Sequence, residues 1–141
     1  MDPRWLSIEL VLAIHARQIA EHGGLDGIRD RGMLESALGR PENAFAYRGE
    51  LDSAGLSAAY AFGIARNHPF SDGNKRTAMI ACELFLNLNG WELAATDADL
   101  YPVIVQLAAG EYSEGALAAW LRERVHPRAV NELIPRRGAS V

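Results

Sequence analysis

The chain has 141 residues, of which 49% are apolar and 23% charged, and its formal net charge is −4 at pH 7. That length fits one domain with one hydrophobic core, and the acidic balance argues against nucleic-acid binding as the main activity. No apolar run reaches the roughly 18–20 residues of a membrane span, and Asp2 and Glu9 interrupt the start where a signal peptide would lie, so we expect a cytoplasmic protein.

Two helices are predicted near the start of the chain. Apolar side chains recur at helical spacing over residues 6–21, and a glycine pair ends that helix. Two histidines on or just past it, His15 and His22, are interpreted as surface or core-edge residues, because neither has a recognisable partner in the sequence. Asp30 is predicted to cap a second, shorter helix that runs to about Gly39.

Pro41 is predicted to end the second helix, since the residue before a proline avoids the helical conformation. The following residues 42–50 lack clear periodicity and are interpreted as an ordered loop or a small hairpin. Their aromatic residues, Phe45 and Tyr47, either pin this segment to the core or belong to a flap that docks a substrate.

Two central helices are predicted next. Ser53 caps a helix to about Arg66 that is rich in alanine and glycine, so that neighbouring helices can approach closely. Another helix begins at Gly73 or the residue after it, is apolar nearly all round, and ends at Asn89. Its single cysteine, Cys82, is predicted to be a buried thiol. A polar loop joins these helices and is held on both sides, as a preorganised site requires.

The last part of the chain is predicted to contain a short extended piece and two further helices. The first of these helices carries a capping box formed by Thr96 and Asp99. The extended piece covers residues 91–93, the helices begin at Thr96 and Ser113, and they end at Gly110 and before His126.

Without repeats or alternating strand patterns, the predicted class is all-α. One helical domain is predicted at residues 1–127, followed by a C-terminal tail at residues 128–141 in which helical periodicity is lost.

The loop between the central helices, residues 67–77, contains the groups that phosphoryl or nucleotidyl transfer requires. His68 can accept a proton near neutral pH. Asp72 is suited to Mg²⁺, which binds proteins through one or two carboxylates together with substrate phosphates. Phe70, between them, is predicted to turn inward as an anchor.

The end of this loop is predicted to hold phosphate groups. Gly73 lets the backbone approach an anion at a helix N-terminus, where anions are favoured. Arg76 can bind phosphate oxygens in a bidentate manner, and Lys75 adds a mobile positive charge.

Three other interpretations compete with this one. A P-loop would need a Gly-Lys-Ser/Thr order and a preceding strand, and the segment has neither. His68 and Asp72 could form a transition-metal pair, but no cysteine or second suitable histidine lies nearby. In a purely structural role His68 and Asp72 would cap helices and Arg76 would form an ion pair, although charged residues concentrated between two apolar helices argue against this.

Residues 68–76, which read His-Pro-Phe-Ser-Asp-Gly-Asn-Lys-Arg, resemble the signature of the Fic/Doc family, and Lys75 resembles its Doc branch. Residues 28–38 and the pair Arg40-Pro41 are also similar to Doc-type proteins, and the similarity extends over about residues 5–125. The resemblance implies a compact bundle of about six helices around a central helical hairpin.

The resemblance also implies roles for the loop residues. Fic-type members transfer AMP from ATP to a protein hydroxyl group. Carried over to this chain, His68 is the general base and Asp72 the Mg²⁺ ligand, and the catalytic set comprises His68, Asp72, Lys75 and Arg76. The residues that hold the phosphates are Gly73, Asn74, Lys75 and Arg76.

Two positions depart from the Fic pattern. Lys75 stands where that pattern has a second glycine, and Met79 stands where it has a final arginine. Both changes favour a Doc-type toxin kinase, which would transfer the γ-phosphate of ATP to elongation factor Tu and arrest translation. A Fic-type AMP transferase and a catalytically silent antitoxin-binding module remain the alternatives.

Regulation is expected to come from another chain. The Ser/Thr-x-x-x-Glu-Gly/Asn motif of the inhibitory helix found in many Fic proteins is absent, since the Glu114-Gly115 pair has Gly110 at the hydroxyl position. The resemblance instead implies the toxin of a type II toxin-antitoxin system, with a cognate antitoxin whose C-terminal segment binds in a groove.

Overall fold

The computed structural model describes residues 2–49 and 51–129. Within these residues the chain forms six helices and one two-stranded antiparallel sheet. The helices are α1 (Ile8–His22), α2 (Arg31–Arg48), α3 (Ser53–Asn67), α4 (Asn74–Leu88), α5 (Asp97–Ala109) and α6 (Glu114–Arg122), and the strands are β1 (Trp91–Leu93) and β2 (Val125–Pro127). The predicted all-α class and bundle of about six helices are confirmed. No helix in this part of the chain is long and apolar enough to cross a membrane.

Helices α3 and α4 form the predicted central hairpin, and the other helices pack around it. Small side chains make the close packing possible. A Cβ atom added to Gly63 of α3 would lie 3.0 Å from the Cα atom of Ala37 in α2, so only glycine fits at that crossing. Cys82 of α4 is fully buried, as predicted, and burial raises the pKa of its thiol to about 12.

Helix α2 continues through Pro41. The prediction that it ends near Gly39 is therefore wrong, and so is the prediction of a loop or hairpin over residues 42–50 for residues 42–48; residue 50 lies outside the described residues. Proline removes one backbone donor, but the buried stripe of α2 continues across it at helical spacing, through Leu34, Leu38 and Pro41. The apolar burial along this stripe offsets the missing hydrogen bond.

The last turns of α2 are fastened to the N-terminal segment. Phe45 packs edge-on against Trp5, with ring centroids 5.7 Å apart. Gly49 then ends the helix in the left-handed conformation, and its N–H donates to the carbonyl of Phe45 at 2.7 Å. Tyr47, by contrast, is 91% exposed and pins nothing to the core.

The cap of α3 also differs from the prediction. Asp52, not Ser53, accepts the hydrogen bond from the N–H of Gly55, at 2.9 Å. Asp52 is held in place by a bidentate pair with Arg122 of α6, which lowers the pKa of its carboxyl group. The ion pair gives Asp52 a second contact that a sequence pattern does not reveal.

The predicted boundaries of the later elements are confirmed except for the end of α6, which lies at Arg122 rather than directly before His126. The Thr96–Asp99 capping box forms both of its hydrogen bonds, and Gly110 ends α5. Ser113 caps α6, and β1 covers the predicted extended piece.

Strand β2 was not predicted. It pairs with β1 so that Glu92 lies opposite His126. The N–H of Arg128 continues this attachment with a hydrogen bond to the carbonyl of Gly90 at 2.9 Å. Most of the predicted tail, residues 130–141, lies outside the described residues, so the domain boundary at residue 127 stays a prediction.

Candidate active site

The loop between α3 and α4 begins with a strained residue. His68 follows the last turn of α3 with φ 50° and ψ 55°, and it is the one non-glycine residue with positive φ in the described part of the chain. Its side chain is exposed. Phe70, two residues on, is 1% exposed and anchors the loop in the core, as predicted. The loop therefore presents a histidine next to a fixed aromatic anchor.

Residues 24–30, which we call the bracing segment, run along the loop and bind its backbone. Ile28 and Phe70 form an antiparallel bridge, and the N–H of Ser71 donates to the carbonyl of Gly27 at 3.1 Å. The N–H of Arg29 donates to the carbonyl of Pro69 at 2.7 Å. The loop conformation thus depends on hydrogen bonds with the bracing segment as well as on the loop's own residues.

The same segment holds Asp72. The N–H of Leu25 donates to Asp72 Oδ2 at 2.7 Å. A Cβ atom added to Gly24, where φ is +117°, would lie 3.1 Å from the Cβ atom of Asp72, so the close approach depends on glycine. One carboxylate oxygen is therefore oriented by the bracing segment.

His15 supports the loop from α1. It is 3% exposed, and its Nε2 donates to the backbone carbonyl of Asp72 at 2.8 Å. Its ring stacks on Phe70 with centroids 3.8 Å apart and an interplanar angle of 7°. The interpretation of His15 as a surface or core-edge histidine without a partner is therefore incomplete, because its partners are distant in sequence.

The N-terminus of α4 presents free backbone donors. Gly73 is the N-cap in the left-handed conformation, and no side chain among the described residues caps this end. The first N–H groups of a helix have no intrahelical acceptor, so this end favours an anion. The side chain of Asn74 is 9% exposed, accepts from the N–H of Phe70 and donates to its carbonyl, both at 3.0 Å. Asn74 thus fastens the loop with its side chain, and only its backbone N–H is left to hold a phosphate.

A cleft of about 320 Å³ opens at this helix end. Of the predicted site residues it brings together Asp72, Gly73, Asn74, Lys75 and Arg76. His68 is not among its lining residues and stands at the start of the same loop. The other lining residues were not assigned to the site by the sequence interpretation: Gln18, His22, Gly23, Gly24 and Tyr101.

The two cations of the cleft are Lys75 and Arg76. The guanidinium carbon of Arg76 lies 4.8 Å from the ring centroid of Tyr101, in a cation–π contact. Within residues 2–49 and 51–129, neither Arg76 nor Lys75 forms an ion pair. The purely structural interpretation of Arg76 as an ion-pair partner is therefore not supported.

A second cleft of about 350 Å³ shares Arg76 and Tyr101 with the first. Asp97, at the start of α5, lines it. Burial, then a hydrogen bond and repulsion from Asp97, raise the pKa of the neighbouring Glu83 to about 8. Asp97 thus interacts with a carboxyl group that is largely protonated at neutral pH.

A larger groove, of about 680 Å³, lies near the start of α3 and is not the candidate site. Three of its four charged lining residues form ion pairs, Arg40 with Glu114 and Arg122 with Asp52 of the α3 cap, and Arg48 is the fourth. Tyr47 lines it. Gly55, in the first turn of α3, lines it too, and because the 15-residue helix rises about 1.5 Å per residue, this end of the groove is about 20 Å from His68. The interpretation of residues 42–50 as a flap beside the loop is therefore wrong.

Arg66, whose role the sequence left open, lies on the exposed surface of α3. Its guanidinium carbon lies 5.3 Å from the ring centroid of Phe62, and Arg66 does not line the cleft.

Asp72 fits a magnesium ion only together with a substrate. Among the described residues no group of three or more histidine, cysteine, aspartate or glutamate side chains could hold a metal ion. Mg²⁺ commonly binds through one carboxylate, waters and substrate phosphates. Asp72 is exposed, forms no ion pair in the described part of the chain and lines the cleft next to the helix end that favours an anion. A single carboxylate at this position is therefore suited to Mg²⁺ that binds together with a nucleotide.

Comparison with known proteins agrees with this geometry. The family model described as Fic/DOC family matches residues 5–86. The chain is 38% identical over 119 residues to a protein named "Protein kinase doc" from Escherichia phage P1, which covers 84% of this chain and 94% of that protein. It is 44% identical over 77 residues to a protein named "Toxin Doc" from Mycolicibacterium smegmatis, which covers 52% of this chain and 57% of that protein.

Proposed function

Since the chain belongs to the Fic/Doc family, we propose that it is a Doc-type toxin that transfers the γ-phosphate of ATP to a hydroxyl group of another protein. The observation that carries this proposal is the cleft that joins Asp72, the N-terminus of α4 and two cations without ion-pair partners in the described part of the chain. Phosphoryl transfer requires mainly positioning and charge stabilisation, and these groups supply both.

The proposed reaction is a direct transfer. The substrate hydroxyl oxygen forms a bond to the γ-phosphorus, the bond from that phosphorus to the β–γ bridging oxygen breaks, and ADP leaves. His68 accepts the hydroxyl proton, for which its exposed position is suitable. The backbone N–H groups at Gly73 to Arg76 and the Arg76 guanidinium bind phosphate oxygens. Asp72 would hold Mg²⁺, which neutralises phosphate charge when bound.

Lys75 is proposed to select the phosphate that moves. It is half-buried at the helix end where the Fic pattern has glycine, so its side chain occupies space and adds charge over the phosphates. A nucleotide would then be seated so that its γ-phosphate, not its α-phosphate, meets the hydroxyl.

The proposed substrate is elongation factor Tu, so the reaction would arrest translation in the cytoplasm. The proposed regulator is a cognate antitoxin whose C-terminal segment binds in a groove of this protein. Similarity to a protein named as a kinase and to a protein named as a toxin supports a phosphoryl-transferring toxin, and both the substrate and the regulator are proposed from the resemblance to the Doc branch.

The test is to incubate the purified protein with Mg²⁺, elongation factor Tu and ATP labelled at either the γ or the α position. Transfer of γ-label alone supports the proposal. Transfer of α-label alone would show a Fic-type AMP transferase. No transfer from either position, with ATP still bound, would leave a catalytically silent antitoxin-binding module.

A matched pair of histidine variants tests the assigned base. His68→Ala is expected to lower kcat by roughly 10²–10⁴-fold, because the hydroxyl proton then has no acceptor. His126→Ala is the control, since His126 is exposed on β2 and does not line either cleft. If His68→Ala kept its full growth-inhibitory potency on expression, the catalytic proposal would fail.

Nucleotide binding can be followed at one side chain. Lys75 is the only lysine of the chain, so an amine-reactive reagent modifies it and the N-terminal amine alone. ATP is expected to protect Lys75 from modification, and adenosine is not. Equal protection by adenosine would argue against phosphate binding at the α4 N-terminus.

A further inference from the structure

Arg76 is held above the cleft by an aromatic ring rather than by a carboxylate. Its guanidinium carbon lies 4.8 Å from the ring centroid of Tyr101, and no acid in the described part of the chain forms an ion pair with it. A carboxylate partner would neutralise the charge and occupy the N–H donors of the guanidinium. An aromatic face attracts the charge and leaves all of those donors available.

Acidic side chains lie near Arg76, yet its guanidinium contacts an aromatic ring instead of a carboxylate. Glu21 and Asp97 line the second cleft together with Arg76 and Tyr101. Neither forms an ion pair with Arg76. Glu21 pairs with Arg17 at 3.0 Å, and Asp97 interacts with Glu83, whose carboxyl group stays protonated up to about pH 8.

Tyr101 is itself well fixed. It is half-buried and packs against the core beside Leu100, which is fully buried. The capping box of Thr96 and Asp99 sets the start of α5 one turn before it. The ring therefore offers Arg76 a rigid surface, and both residues line both clefts.

From these contacts we propose that Tyr101 is a positioning residue that holds the Arg76 guanidinium ready to bind the phosphates of the nucleotide. The proposal rests on the proposed phosphate-binding role of the cleft. It assigns to α5, outside the signature loop, a part in substrate binding. Tyr101 acts through Arg76 and not by contact with the nucleotide, so its effect must disappear when Arg76 is absent.

That dependence is the basis of the experiment. The variants are Tyr101→Phe, Tyr101→Leu, Arg76→Ala and the double variant Arg76→Ala/Tyr101→Leu. For each of them, calorimetry measures the affinity for inorganic triphosphate and for a non-hydrolysable ATP analogue. Steady-state kinetics give the KM and kcat of γ-phosphoryl transfer. Tyr101→Phe keeps the aromatic face and should bind like the wild type. Tyr101→Leu should weaken polyphosphate binding roughly 3- to 30-fold, as the loss of one cation–π contact predicts.

The double variant separates positioning from general packing. We expect it to bind no more weakly than Arg76→Ala alone. If the two single losses multiply instead, or if Tyr101→Leu binds like the wild type, Tyr101 does not act through Arg76 and the inference is wrong. Thermal unfolding of each variant shows how much stability the ring contributes, and a loss of stability alone would appear equally in both backgrounds.

Failure of the proposed function would look different. Wild-type protein that binds triphosphate in a manner dependent on Arg76, and on Tyr101 only when Arg76 is present, but transfers neither γ- nor α-label would leave the inference standing and contradict the kinase proposal. Wild-type protein that binds neither triphosphate nor the ATP analogue would contradict both.

Discussion

Arg29 binds the backbone of His68 directly, through a hydrogen bond of 2.6 Å from its Nε to the His68 carbonyl oxygen. Its Nη2 donates to the carbonyl of Asn67 at 2.8 Å, so one guanidinium satisfies two carbonyls at the end of α3. His68 has the positive φ of 50° that side chains rarely adopt. The conformation that presents the proposed base is thus maintained by a residue nearly forty positions earlier.

Arg29→Lys is expected to lower kcat for γ-phosphoryl transfer by roughly 10-fold, because an ammonium group lacks the planar pair of donors that matches two neighbouring carbonyls. The KM for ATP should stay near the wild-type value, since Arg29 does not line the cleft. Steady-state kinetics check both. Arg31→Lys is the control, because the ion pair of Arg31 in the described part of the chain is with Glu35 on the surface of α2. A change in KM with constant kcat would contradict the assigned role.

His15→Phe is expected to raise the Mg²⁺ concentration needed for half-maximal activity roughly five-fold, the equivalent of about 1 kcal/mol for one hydrogen bond. Phenylalanine keeps a ring that can stack on Phe70 but leaves the carbonyl of Asp72 without its donor. Activity measured across a Mg²⁺ titration tests this. His126→Phe, on exposed β2, should leave the titration unchanged.

Gly63→Ala is expected to destabilise the protein by about 1–3 kcal/mol, because the added methyl group meets the backbone of Ala37. Gly39→Ala, in the same helix pair, is the matched control. Its Cβ atom would lie 3.8 Å from Asn43 Nδ2, an ordinary contact, so the change should be neutral or stabilising by up to about 1 kcal/mol. Urea unfolding measures both, and equal effects of the two would show that α2 and α3 are not so closely packed.

Glu83→Gln should remove a dependence of stability on pH. Burial and Asp97 raise the pKa of Glu83 from 4.5 to about 8, so the folded state binds more protons than the unfolded state between those values. The free energy of unfolding therefore falls as pH rises through this window. Thermal unfolding between pH 5 and pH 9 should show a Tm that declines more in the wild type than in Glu83→Gln. Parallel curves for the two proteins would contradict the shift.

The sequence by itself determined the helical class, most element boundaries and the chemistry of the loop. Capping residues, glycine stops and apolar spacing are local signals, and they placed both ends of α1, α3, α4 and α5 and the start of α6 to within about two residues. His68, Asp72, Lys75 and Arg76 stand out because reactive groups are rare between two apolar helices.

Tertiary structure decided the features that depend on contacts between distant residues. Helix α2 continues through Pro41 because its buried stripe packs on the core, and Asp52 replaces Ser53 as a cap because Arg122 holds it. The supports of the site are equally distant in sequence: Arg29 for His68, His15 for Asp72 and Tyr101 for Arg76. Local patterns identify which groups can react, whereas the orientation of each group is set by side chains that only the folded chain brings within reach.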